Sequence, residues 1–331
     1  MSWRRSEWYE GWIRPHWTVV AAILVVVLGI SGLLMLNQLA APAGVPAGGH
    51  RSPGALDPIG PAPSGTTSSP SASPSPSRSP SASPSASPSP ATRPVDQGTV
   101  LWRADPSLGQ RNFEGIETEP GTVTVADDPQ GRYGTSVRFE TWPALLGGKV
   151  RCESRGLRSS DGSVLTLGAD KEGQTFYLGW RSLWNPMPTQ SGAWVALFQM
   201  HVSGVPDGGL NVGPFVLRTL GDGALHFQLI SPDGSDRHIW SGPLPVGSWS
   251  SFVIGFKLSR SNTDGWVEFW YNGVPQRFTN GATRYPGATL WGTHDNVKWG
   301  IYRSGANLTG GNAVAYLNHA QLGTGYGAVA P

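Results

Sequence analysis

Between residues 121 and 304 the chain repeats one pattern: a short run rich in β-branched and aromatic residues, closed by Gly, Pro, Asn or Asp. The runs are GTVTVADD, SVRFETW, TFYLGWRSLW, AWVALFQMHV, PFVLRTL, ALHFQLI, SSFVIGFKLS, GWVEFWYNG and NVKWGIYRS. Runs of this length between turn residues form strands, and no convincing helical run interrupts them. The sequence therefore predicts an all-β sandwich. In WVEFWYNGV, Asn272-Gly273 supplies the two positive-φ residues of a type I′ hairpin turn. Gly-Asp-Gly at 221–223 and Pro-Asp-Gly at 232–234 separate other strands in the same way.

The chain ahead of these runs has a different composition and divides into three parts. Residues 17–36, WTVVAAILVVVLGISGLLML, carry no charged side chain and are long enough as a helix to cross a hydrocarbon core. They read as a transmembrane signal anchor, and cleavage as a signal peptide is the alternative. Arg4, Arg5 and Arg14 lie in residues 1–16, and no basic side chain follows the apolar run until Arg51. That bias places the amino terminus in the cytoplasm and the rest outside. Trp3, Trp8, Trp12 and Trp17 suit the headgroup level as anchors. Residues 37–96, with SPSASPSPSRSPSASPSASPSP from Ser69 to Pro90, lack the apolar side chains for a core and read as a disordered Pro/Ser linker. The globular part is then 97–331, on a membrane-tethered, extracellular chain.

Charged residues make up 14% of the chain and the formal net charge is +2, so no nucleic-acid partner is expected. Cys152 is the only cysteine, which rules out an intramolecular disulfide and a cysteine-based metal site. Nothing in the sequence calls for a second copy, and the chain reads as a monomer.

Three strands put polar groups on one side. In VKWGIYR, Lys298, Gly300 and Tyr302 share a face by the period of 2, opposite Trp299, Ile301 and Arg303. The absent side chain at Gly300 reads as room for a ligand. In VRCESRG, Arg151, Glu153 and Arg155 share a face, either as an ion-pair ladder or as a carboxylate-binding pair steadied by Glu153. In LFQMHV, Phe198, Met200 and Val202 point to the core, leaving Leu197, Gln199 and His201 to look outward or into a groove.

The order RCESR, GWRSLW, QMH, KWGIYR over roughly 97–325 resembles the jelly-roll polysaccharide lyases: heparin lyase I-like enzymes, glucuronan lyases and, more distantly, alginate lyases. The resemblance implies a concanavalin-like β-jelly-roll sandwich and β-elimination on a uronic-acid polysaccharide. By the matched motifs it implies His201 as base and Tyr302 as acid, with Tyr302 in both parts as the alternative. Arg151 and Gln199 would neutralise the uronate carboxylate, and Lys298 would add a positive field. Glu153, Arg155, Trp180, Arg181 and Arg303, within the same motifs, are the candidate substrate-binding residues. Leu183 stands where a lysine or another polar residue is expected in GWRSLW, which argues against a heparin-specific subgroup. The near-neutral charge favours a non-sulfated polymer.

No cofactor is required for this elimination. A structural Ca²⁺ is open to the loops PDGGLN and THDN, although no spacing there matches a dedicated calcium loop. Two rivals remain at this point. A retaining glycoside hydrolase needs paired carboxylates on one strand, whereas Glu117 and Glu119 in GIETEPG sit beside Pro and Gly in an expected loop. A lectin-like module would use Trp180, Trp184, Trp266, Trp270 and Trp291 for stacking on sugars.

Overall fold

The computed structural model describes residues 97–205, 209 and 211–331. The apolar run 17–36 and the linker lie outside them. Among the described residues no helix is long and apolar enough to cross a membrane.

Two antiparallel sheets make the fold. The first runs, edge to edge, Asp236–Pro243, Ala224–Ile230, Phe215–Thr219, Val195–Ser203, His294–Arg303, Val150–Arg155 and Gly115–Glu119, with Leu167–Gly168 pairing beside His294–Arg303. The second runs Val274–Pro275, Trp266–Tyr271, Ser250–Lys257, Thr175–Trp184, Ala313–Gly323, Thr135–Thr141 and Gly121–Asp127; Val100–Arg103 and Arg284–Pro286 pair alongside. The alternating runs therefore become strands as the sequence predicts. The hairpin turn does too: φ is +50° at Asn272 and +76° at Gly273.

The inward faces meet in an aromatic core. Trp180 of the second sheet stacks on Phe198 of the first at 4.6 Å between ring centroids and meets Trp299 edge-on at 6.1 Å. Trp180 and Trp184 are fully buried there, so neither stacks on a sugar. Trp266 and Trp270 belong to the second sheet as well, where the Arg284 guanidinium lies 3.7 Å over Trp266 and Trp270 packs on Tyr177 and Tyr326.

Two departures from strict alternation shape the first sheet. Ala196 pairs with Arg218 and Phe198 with Leu217, so Leu197 is an extra residue against that neighbour. It turns into the core instead of sharing a face with Gln199 and His201. On the other side, Ala196 pairs with Tyr302 and Phe198 with Trp299, which puts the extra residue in Gly300-Ile301. Such bulges re-aim side chains at functional sites.

Gly300 has φ +132°. A Cβ there would lie 2.2 Å from the Cys152 carbonyl oxygen and 2.9 Å from the Glu153 Cα. The missing side chain thus makes room for the neighbouring backbone, not for a ligand. Gly300→Ala is expected to lower stability by about 2–4 kcal/mol through backbone strain and overpacking. The check is a denaturant titration, in which an unshifted midpoint would show that the two strands do not approach this closely.

Candidate active site

The outer face of the first sheet gathers the polar residues of four adjacent strands. Glu119 pairs with Arg151 and Glu117 with Glu153. Arg151 pairs in turn with Tyr302, and Glu153 with Gly300. Across the next junction Lys298 pairs with Gln199 and Asn296 with His201. Arg151, Glu153, Lys298, Tyr302, Gln199 and His201 therefore share one face, as their spacing in the sequence implies.

Glu117 and Glu119, expected in a loop, organise this face. Gly115–Glu119 is a strand, and its alternation turns Glu117 and Glu119 to the site. Arg151 grips Glu119 with Nε and Nη2 and donates Nη1 to Glu117 Oε2 at 2.6 Å. Lys298 Nζ donates to the same Glu117 oxygen at 2.6 Å. The expected clasp of Arg151 and Arg155 around Glu153 does not form. Glu153 instead accepts from Gln199 Nε2 at 2.6 Å, and its second oxygen has no partner among the described residues. Arg155 stays on this face but is exposed, against Gly115. The sequence signal for them is charge: Arg151, Arg155 and Lys298 on one face need anions, and the E-x-E of GIETE alternates correctly to supply them.

The environment sorts these groups by proton affinity. Burial pushes the Glu153 carboxyl up to about 7, against the pull of Lys298 and of the Gln199 hydrogen bond. Burial also acts to raise the Glu117 carboxyl, but Lys298 and Arg151 outweigh it and hold the group below the usual range. The hydrogen bond from Arg151 holds Glu119 down likewise. Burial, assisted by Lys298, lowers His201 to about 4, and burial raises the Tyr302 phenol. Near neutral pH the imidazole is therefore uncharged and the phenol protonated.

The imidazole's tautomer follows from its neighbour. Nδ1 lies 2.7 Å from the Val202 carbonyl oxygen, which only accepts, so Nδ1 carries the proton and Nε2 keeps a basic lone pair. Tyr302 is half-buried, with Trp194 edge-on at 5.0 Å and the Arg151 guanidinium 5.5 Å from its ring centroid.

Three candidates stand elsewhere. Trp180 is core. Arg181, next to it in the chain, points out of the opposite sheet and lies 4.4 Å over the Tyr133 ring. Arg303 is buried on the core side, donating to the carbonyls of Gly311 and Thr309; it fastens the loop after its strand. These three errors share a cause, since a short motif names neighbours in sequence without saying which face each neighbour takes.

Glu117 and Glu119 do lie on one strand, as the paired carboxylates of a retaining hydrolase would. Such an enzyme needs one carboxyl protonated and within reach of the leaving oxygen. Glu117 and Glu119 are both held ionised by cations, and Glu153, the one with raised affinity, is only 1% exposed. The carboxylates serve as anchors. Among the described residues no group of three His, Cys, Asp or Glu side chains is placed to hold a metal ion.

Known proteins share the fold and the family. No curated protein matches the chain. Among solved structures, an endo-β-1,4-glucuronan lyase from the fungus Trichoderma reesei superposes with a TM-score of 0.51 at 13% identity, covering 70% of this chain and 96% of that one. At that identity the likeness is one of fold, the jelly-roll sandwich. An alginate lyase from the marine Zobellia galactanivorans gives 0.43 at 14% identity over 64% of this chain and 95% of that one. One from Corynebacterium sp. gives 0.42 at 16% over 62% and 82%. The polysaccharide lyase family profile matches residues 107–320, which spans most of the sandwich and both ends of the polar face, and the chain accordingly belongs to that family of enzymes.

Proposed function

We propose that this polysaccharide lyase acts outside the cell, anchored by residues 17–36, and cleaves a uronic-acid-containing polysaccharide by β-elimination. One observation carries the reading: a single sheet face presents an uncharged imidazole with a free basic nitrogen, a protonated phenol, an amide and two cations.

The chemistry requires that set. The base removes the C5 proton of the uronate, the electron pair forms the C4–C5 double bond, and the C4 oxygen leaves with a proton from the acid. The C5 proton is acidic enough only when the adjacent carboxylate is neutralised, so donors aimed at its oxygens lower the barrier as charge accumulates there. Gln199 faces that position and is assigned the contact, while Lys298, buried with its Nζ on Glu117, contributes through its field. Arg151 contributes through its field, because Nε, Nη1 and Nη2 are all engaged by Glu117 and Glu119.

His201 Nε2 is assigned as base and the Tyr302 hydroxyl as acid. A second assignment, with Tyr302 in both parts, is favoured by the register. His201 faces Asn296, six positions from Tyr302 along the adjoining strand, a Cα distance of up to about 20 Å. The C5 proton and the C4 oxygen lie on adjacent carbons of one ring, so His201 serves as base only where its Nε2 and the Tyr302 hydroxyl reach the same sugar.

The test is absorbance near 235 nm, where the conjugated product absorbs, with full-length protein on glucuronan and alginate. Tyr302→Phe should lower the rate at least about 100-fold, within the range of general acid–base catalysis. His201→Ala should do the same if the imidazole is the base, and should leave most of the rate if Tyr302 takes both parts. Binding of polymer without any rise would instead leave a carbohydrate-binding module and overturn the catalytic roles.

Acid dependence gives a second check. A base that must be unprotonated loses activity as pH falls through its pKa, so kcat/KM should decline near pH 4, where burial places His201, and not near 6.5. The Glu153→Gln variant, which removes the titration near 7, should keep that limb. A limb at 6.5 in both proteins would exclude His201 in this environment as the base.

A further inference from the structure

The polar face continues beyond His201 onto strands the catalytic assignment does not use. Tyr302 pairs with Ala196, Ala196 with Arg218, Arg218 with His226 and His226 with Ser241. These residues form one row crossing five strands. Phe215, Leu217, Leu225 and Phe227 point into the core, so alternation puts Arg218 and His226 on the same face as Gln199 and His201. Along this row only Ala196 separates Tyr302 from Arg218. The two therefore stand two strand spacings apart, roughly 10 Å between Cα atoms, the length of about two pyranose units.

Arg218 is half-buried and set from one side. Its Nη2 donates to Asp236 at 2.9 Å, and Asp236 also accepts from Gln228 at 3.3 Å. Next in the row, His226 is tied to Asp222 at 2.8 Å. The two carboxylates fix the row's far end. Arg218 Nε, in contrast, is buried and has no partner among the described residues.

We propose that Arg218 recognises the carboxylate of a second uronate unit, two sugars along the polymer from Tyr302, with the polymer lying across the strands. A planar guanidinium whose Nη2 is held by Asp236 and whose side chain is 21% exposed is suited to a carboxylate, which accepts in the plane of the fork. The proposal rests on the lyase reading for its ligand, but its test is binding and not turnover.

Glucuronan and alginate hexasaccharides, and their carboxyl-reduced neutral counterparts, are titrated into full-length protein by calorimetry. Arg218→Ala should weaken binding of the better acidic hexasaccharide about tenfold and leave any binding of the neutral ones unchanged. Arg218→Lys, which keeps charge and bulk but cannot fork, should lose about threefold and guards against a folding defect. Wild-type affinity for the acidic hexasaccharides in both variants would overturn the proposal, as would equal losses on acidic and neutral sugars or no binding by the parent protein. Acidic binding that depends on Arg218, found in a protein giving no 235 nm product, would uphold this subsite while removing the catalytic assignment.

Discussion

One carboxylate oxygen, Glu117 Oε2, receives both Arg151 Nη1 and Lys298 Nζ, and the arrangement of the polar face follows from that shared contact. Lys298 is nearly fully buried, and a buried ammonium is tolerated only when paired and hydrogen-bonded. Glu117 satisfies it while tying the edge strand to two strands further in. Glu119 holds the rest of the Arg151 fork. With its cations anchored from below, the face keeps Gln199, His201 and Tyr302 for a ligand.

The same pairing explains why Glu153 differs from its neighbours. It lies opposite Glu117 across a strand pair, and the cations that would stabilise its charge are already matched by Glu117 and Glu119. Burial then dominates and raises its proton affinity. The amide of Gln199 is the hydrogen-bond donor that reaches it, and this bond orients an amide facing the proposed substrate position.

Much of this was legible in the sequence because a strand has a period of 2. That rule alone put Lys298 with Tyr302, Gln199 with His201, and Arg151 with Glu153 on one face. It failed where backbone geometry intervened. Leu197 turned inward because a bulge inserts it against the neighbouring strand, and the bare face at Gly300 was filled by the Cys152 backbone. It also gave no information on sheet membership: Arg181 alternates properly, but on the opposite sheet. Arg303 shows a further limit, since a buried guanidinium satisfied by carbonyls of its own following loop reads in sequence like a ligand-binding one. Glu117 and Glu119 were hidden by Pro120 and Gly121, which mark the end of their strand and not a loop containing them.

Charge balance gives these placements a consequence for recognition. Arg151 and Lys298 are offset by Glu117 and Glu119, so an arriving uronate adds a negative charge that no spare cation at this position cancels. A like charge close to Glu153 favours its protonated form still more strongly, and the proton held there limits the repulsion. Recognition at the centre would then depend on an oriented hydrogen bond from Gln199 more than on net charge, in keeping with a chain whose formal charge is only +2. Arg218, held by Asp236, lies along the row, away from this balanced centre, where binding a second carboxylate would not add to the charge beside Glu153.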